Sequence, residues 1–429
     1  MSQIRAYRTD DLPAREPEAD AHTKAISFRA AQNITVEIAD AARLADIHAA
    51  WTELLSRADA PNVFMDPALL RVAASIDPAA GHRALLAWRS LGGLRQLVGV
   101  WAFAPGRARR SPLPTRVLNT PPHIHGYLAT PVIDRDHLDD TLDAMLDCIA
   151  ADPRWPKIVA LDAIGTDAPT YDALLRVLAD RDSEPCIFDQ WRRPKLSSEL
   201  DGKAYLEKSL SGSTRKKLRQ HRRRLSEQGA LTSTIAAAPD AVRGALEEFM
   251  AMEAAGWKGR EGTALLSDKS DAAFMRGAVG ALADAGRAAI HSLYLDGKPV
   301  SMQIVVRAGA AAFTWKTAYD ETYQDYSPGT LLLEDYTAAF LADRSIDFVD
   351  SCSYDDSGFM SAWSERQQVA DLWIDARRGG SLAFRVLCGA QIGYRQMRGT
   401  AKSVYLAWQN SNWRKSILRK SILRKSRKR

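Results

Sequence analysis

The sequence predicts a mixed α/β protein with mainly antiparallel central sheets, arranged as two tandem units. Three observations point there. Residues 288–319 hold three apolar runs joined by the short turns Asp296-Gly-Lys-Pro299 and Ala308-Gly-Ala310, which make an antiparallel meander. A similar hairpin, with Gly92-Gly93 at its turn, stands near the start of the chain, and helical patterns flank both. The length of 429 residues leaves room for two or three domains of ordinary size.

The chain is read as a flexible polar arm (residues 1–29), a first unit (30–200), a second unit (201–375) and a basic helix and tail (376–429). The first unit opens with a strand at Ile34–Ile38 and a helix at Ala41–Arg57, for which Asp40 is the expected N-cap. The hairpin strands are Ala84–Trp88 and Leu94–Phe103, followed by a Pro-rich loop. Then come a helix (His137–Ala151), a strand (Ile158–Leu161), a helix (Pro169–Ala179) and a strand (Cys186–Trp191).

The second unit begins with one long helix, Lys203–Gln228, then a strand at Leu231–Ala236 and a helix at Pro239–Ala255. A glycine-rich loop and a helix at Lys269–Ala285 precede the meander. Its last strand, Ala311–Tyr319, runs through a polar loop into a helix at Thr330–Asp343. Strands at Ile346–Asp350 and Val369–Ile374 close the unit, and a further helix is expected at Leu382–Trp408.

Composition removes several function classes. No run of about 18 apolar residues is present, so no bilayer-spanning helix is expected. The N-terminus is charged where a signal peptide needs an apolar stretch, which predicts a cytoplasmic protein. Four scattered cysteines and no CxxC pair argue against a zinc knuckle or a disulfide framework. His123 and His125 invite a metal reading, but no neighbouring ligand completes a site, so no metal is expected.

The net charge of +6 conceals an asymmetry. Residues 376–429 carry 15 Lys and Arg and no acid, while 43 basic residues face 52 acidic ones in residues 1–375. Nucleic acid is therefore a secondary expectation for the body. The run Arg414–Arg429, with nine basic residues, suits an anionic membrane surface. Peripheral association with the inner membrane follows. A second basic run, Arg215–Arg224, either grips phosphates or is a solvated helix face anchored by Leu218 and Leu225.

The strand–loop–helix at Ala311–Asp343 is the most specific feature. Tyr326-Ser-Pro-Gly329 delivers the chain to a helix N-terminus whose first amides lack internal partners, a ready anion site. The alternative is a plain cap, with Ser327 or Thr330 serving those amides. By strand alternation Lys316 shares a face with Thr314 and Asp320, opposite Trp315 and Tyr319, and could meet a phosphate there.

From Lys203 to Ile374 the chain resembles the acetyltransferase-like domain of the bacterial cellulose-biosynthesis-protein family, within the GNAT superfamily. Five segments carry the resemblance: Ser213-Thr-Arg-Lys-Lys-Leu-Arg219, Gly256-Trp-Lys-Gly259, the meander with Asp296-Gly-Lys-Pro299, Ala318-Tyr-Asp320 followed by Tyr326-Ser-Pro-Gly329, and Asp347-Phe-Val-Asp350. Phe64-Met-Asp-Pro67 extends it to the first unit. Such proteins resemble Fem-type transferases in carrying two GNAT-like domains in tandem. The usual Arg/Gln-x-x-Gly-x-Gly/Ala pyrophosphate loop is replaced by YSPGT, which leaves the carrier open between acyl-CoA and acyl carrier protein.

The resemblance implies attack of an amine on a thioester, with the donor as co-substrate and no tightly bound cofactor. The acceptor would be an amine of an envelope lipid, such as a sphingoid base, or of a polysaccharide precursor. Proton removal needs a base, for which His291, Asp320 and Asp350 are candidates; Tyr319 or Tyr326 would protonate the thiolate. Tyr326, Ser327, Gly329, Thr330 and Lys316 would hold the carrier. Cys352 is read as a structural thiol, since direct transfer needs no acyl-enzyme. The alternatives are tRNA-dependent aminoacyl transfer of Fem type and a non-catalytic envelope or nucleic-acid binding protein.

Overall fold

The computed structural model describes residues 33–400, apart from residues 110, 355, 357 and 399. The arm (1–29) and the run Arg414–Arg429 lie outside the described residues. The first half contributes strands β1 (Ile34–Ala39), β2 (Arg83–Leu91), β3 (Leu94–Arg107), β4 (Arg116–Thr120), β5 (Val132–Ile133), β6 (Ile158–Gly165) and β7 (Cys186–Leu196). The second contributes β8 (Leu231–Ala236), β9 (Ala288–Leu295), β10 (Lys298–Ala308), β11 (Ala311–Tyr319), β12 (Phe348–Asp350) and β13 (Glu365–Asp375).

All belong to one mostly antiparallel sheet in the order β1-β2-β3-β4-β6-β13-β7-β12-β11-β10-β9-β8, with β5 beside β3. The two halves repeat one pattern. Each has a four-strand meander, then a helix, then a strand parallel to the last meander strand: β6 on β4, and β12 on β11. Their closing strands are interleaved. β13 pairs with β6, β7 pairs with β12, and β7 and β13 pair with each other from Lys195–Glu365 to Cys186–Trp373.

Several elements depart from the sequence reading. The helix expected at 41–57 is a 3-10 turn, Arg43–Ala45, and a helix, His48–Arg57. Asp40 starts the 3-10 turn instead, its Oδ1 accepting from the amides of Ala42 and Arg43. The long helix at 203–228 divides into Gly202–Ser209 and Gly212–Ser226, because Ser211 caps the second piece by accepting from Thr214 N at 3.1 Å. β4 lies inside the stretch read as a Pro-rich loop.

Phe64-Met-Asp-Pro67 joins the halves. Asp66, 1% exposed, caps the helix Pro67–Ile76, accepts from Trp51 Nε1 at 2.9 Å and pairs with Arg287 of the second half. Phe64 packs edge-on against Tyr127, Phe313 and Trp315. The helix Pro67–Ile76 lies against the helix Lys269–Asp284, where a Cβ on Gly277 would stand 2.7 Å from Val72 Cγ1. Glycine is what lets these helices approach.

Candidate active site

β11 and β12 pair only from Ala311–Phe348 to Phe313–Asp350 and then part, with Thr314 Oγ1 donating to Asp350 O at 3.2 Å. β11 continues alone on that edge to Tyr319. Asp320 caps the 3-10 helix Glu321–Tyr326 by accepting from Thr322 N at 2.9 Å. Ser327, at φ 51° and ψ 55°, then turns the chain into the helix Pro328–Ala342. The left-handed conformation costs a non-glycine residue about 1–2 kcal/mol, so the surrounding fold holds this corner.

A cleft of about 380 Å³ opens at this corner, between the helix N-terminus and residues 252–258. Tyr319, Ser327, Gly329 and Thr330 line it together. Ser327 makes no side-chain cap; the amides of Thr330 and Leu331 bond its carbonyl instead, at 2.9 and 3.1 Å. A Cβ on Gly329 would meet nothing within 4 Å, so glycine keeps the cleft open there rather than serving the turn.

The other candidates are placed elsewhere. Tyr326 packs on the core beneath the helix, and its hydroxyl accepts from Gln228 Nε2 at 2.5 Å. His291 is buried against Tyr336 and Phe340, and burial alone pushes its pKa down to about 4. Asp350, 0% exposed, pairs with Arg193 through one oxygen and accepts from Cys352 N at 2.8 Å through the other. Asp320 is spent on its cap. None of these three proposed bases lines the cleft. Cys352 sits at φ 54° in the core, where burial pushes its thiol well up.

Lys316 corrects the alternation argument. Ile304 faces Lys316 and Val305 faces Thr314, which leaves Trp315 as the extra residue of a β-bulge. The bulge turns Lys316 to the face of Trp315, away from the side shared by Thr314. Trp315 Nε1 donates to His125 O at 2.7 Å, and Lys316 Nζ stands 3.5 Å from Tyr127 Oη. Burial lowers the Lys316 pKa, opposed by Glu253, Asp271 and Cys352.

His123 stacks on Phe274 at 3.5 Å, and burial pushes its pKa down to about 3. His125 Nε2 lies 3.1 Å from Asp271 Oδ1 without hydrogen-bond alignment. With its pKa lowered by burial to about 2, His125 is neutral, so the contact is not an ion pair. Among the described residues no group of three or more His, Cys, Asp or Glu could hold a metal ion.

Sequence reasoning missed Glu253 and Lys258. Glu253, 4% exposed, lines the cleft, accepts from Lys258 Nζ at 2.7 Å and from Leu265 N at 2.8 Å. The signal was present: an acid on the face of its helix that buries Phe249 and Met250. At the rim, Glu321 ties down residues 257–260 by accepting from Trp257 N and Arg260, and the Arg260 contact holds its carboxyl below the usual range.

Residues 212–356 match the acetyltransferase (GNAT) domain family. The matched segment contains every cleft-lining residue except Phe359. The chain thus carries a GNAT-type N-acyltransferase domain. No curated protein matches the sequence. Solved structures similar to it include FemX (12% identity, 71% of this chain and 90% of that one, TM-score 0.48). Another is the C-terminal domain of a putative lysylphosphatidylglycerol synthetase from Agrobacterium fabrum (14%, 81% and 95%, TM-score 0.46). A third is a tandem GNAT protein from the clavulanic acid biosynthesis pathway (12%, 81% and 99%, TM-score 0.43).

Proposed function

We propose that this protein transfers an acyl group from a thioester donor, acyl-CoA or acyl carrier protein, to an amine of an envelope lipid such as a sphingoid base or of a polysaccharide precursor. The observation that carries the reading is the cleft at the N-terminus of Pro328–Ala342, bounded by Tyr319 and lying almost wholly within the GNAT segment. With the Thr330 and Leu331 amides bonded to the Ser327 carbonyl and Pro328 lacking an N–H, the amide of Gly329 and the positive end of the helix dipole favour the donor's phosphate. The edge of β11 beyond Phe313, released from β12, offers backbone N–H groups to the oxyanion. Lys216, Lys217, Arg219 and Arg224 stay exposed on the helix Gly212–Ser226 and suit an acidic carrier protein. The basic residues of Arg414–Arg429 suit an anionic membrane on the cytoplasmic side.

In this reading the amine nitrogen attacks the thioester carbon and its proton passes to Glu253, the carboxylate that lines the cleft. The tetrahedral intermediate then collapses, the C–S bond breaks, and the thiolate takes a proton from Tyr319. Donor turnover tests this. Purified protein with an acyl donor and a long-chain amine should release free thiol and form an amide. Comparing lipids and polysaccharide of a deletion strain with the parent would then identify the acceptor.

A further inference from the structure

We propose that the helix spanning residues 382–398 is a membrane-docking surface, its outer face entering the headgroup region of an anionic bilayer. The inference rests on the membrane part of the reading above and adds an apolar contact to it.

The helix has two faces of opposite kind. Ser381 starts it by accepting from Phe384 N at 3.0 Å. Phe384, Cys388 and Gln391 are buried against the sheet, with Trp373 and Cys186 in the same small core. Arg395 extends this inner face, pairing with Asp189 and standing 3.6 Å from Asp371. At about 100° per residue, Leu382, Val386 and Met397 fall together on the opposite face. They are 78%, 63% and 67% exposed, and Gly389 and Ala390, exposed between them, complete an apolar strip.

Such a strip on a helix already fixed to its protein marks an interaction surface. Charge selects the occupant. The strip belongs to the acid-free segment 376–429, and the chain beyond residue 400 adds ten Lys or Arg. A second copy of this chain would bring two such segments together and be repelled. An anionic lipid surface attracts them and accepts the apolar side chains at once. Among the described residues no helix is long and apolar enough to cross a membrane, so this helix lies on the surface.

The test is co-sedimentation of the full chain with phosphatidylglycerol or phosphatidylcholine vesicles across a salt series. The variant is Leu382→Gln/Val386→Gln/Met397→Gln, which leaves the charge balance and the buried face untouched. Wild type should bind phosphatidylglycerol vesicles and keep part of that binding at high salt. The variant should bind at least about tenfold more weakly and lose the salt-resistant part, with unchanged Tm and donor turnover. Truncation after Asn412 should remove the salt-sensitive part. Equal binding by the variant and wild type overturns the proposal while leaving attraction by the tail intact. Wild type that ignores both vesicles overturns both. A wild-type dimer that the variant converts to monomer assigns the strip to a second copy and overturns it too.

Discussion

Lys316 Nζ stands 3.5 Å from Tyr127 Oη, a contact between the two halves made by a buried amine with no carboxylate in ion-pairing range among the described residues. Burial disfavours the charged form, so the folded protein binds this proton more weakly than the unfolded chain does. The charged amine costs most below its folded pKa, and the cost disappears as pH rises to the ordinary lysine value. Lys316→Met should therefore match or exceed wild type in stability near neutral pH, and its advantage should shrink towards about pH 10. Chemical denaturation of both proteins across that range checks it.

His123, His125 and His291 give an acid counterpart. Their folded pKa values, about 3, 2 and 4, lie below the unfolded value of 6.5. Below pH 6.5 the unfolded chain takes up protons that the folded protein refuses, so stability falls with pH through that window. His291→Phe should flatten the slope between about pH 6.5 and 4. An unchanged slope would mean that His291 is not neutral in the fold.

Asp350→Asn removes the carboxylate from a buried pair and leaves Arg193 uncompensated. A loss of about 3–5 kcal/mol in stability is expected. The measurement is Tm and denaturant midpoint against wild type. A normal Tm with lost turnover would return Asp350 to the role of base.

Gly329→Val and Glu253→Gln separate donor binding from proton transfer. The valine would enter the open cleft, so donor KM should rise while Tm stays near wild type. Glu253→Gln should lower kcat by about 10²–10⁴ if the carboxylate takes the amine proton. Wild-type kcat in a folded Glu253→Gln protein would exclude that role.

The cleft's outer wall was readable from sequence because glycine and proline punctuate it. Tyr319 ends an apolar, aromatic-bearing strand, and Ser327-Pro-Gly329 opens a helix, so local chemistry alone placed Tyr319, Ser327, Gly329 and Thr330 near one another. What depends on distant pairing was not readable. The bulge at Trp315 carries no glycine to announce it, yet one inserted residue moved Lys316 to the other face. Glu253 and Lys258 meet across the break at Gly256, where helical spacing no longer applies. The interleaving of β7 and β13 joins strands far apart in the chain, which no local pattern encodes.

The most direct measurement is free-thiol release by purified protein offered acyl-CoA, acyl carrier protein and charged tRNA in parallel, each with a long-chain amine. Consumption of an acyl thioester, with amide formed and with Gly329→Val impaired at limiting donor, is the predicted result. Consumption of charged tRNA alone, or of none of the three, would contradict it.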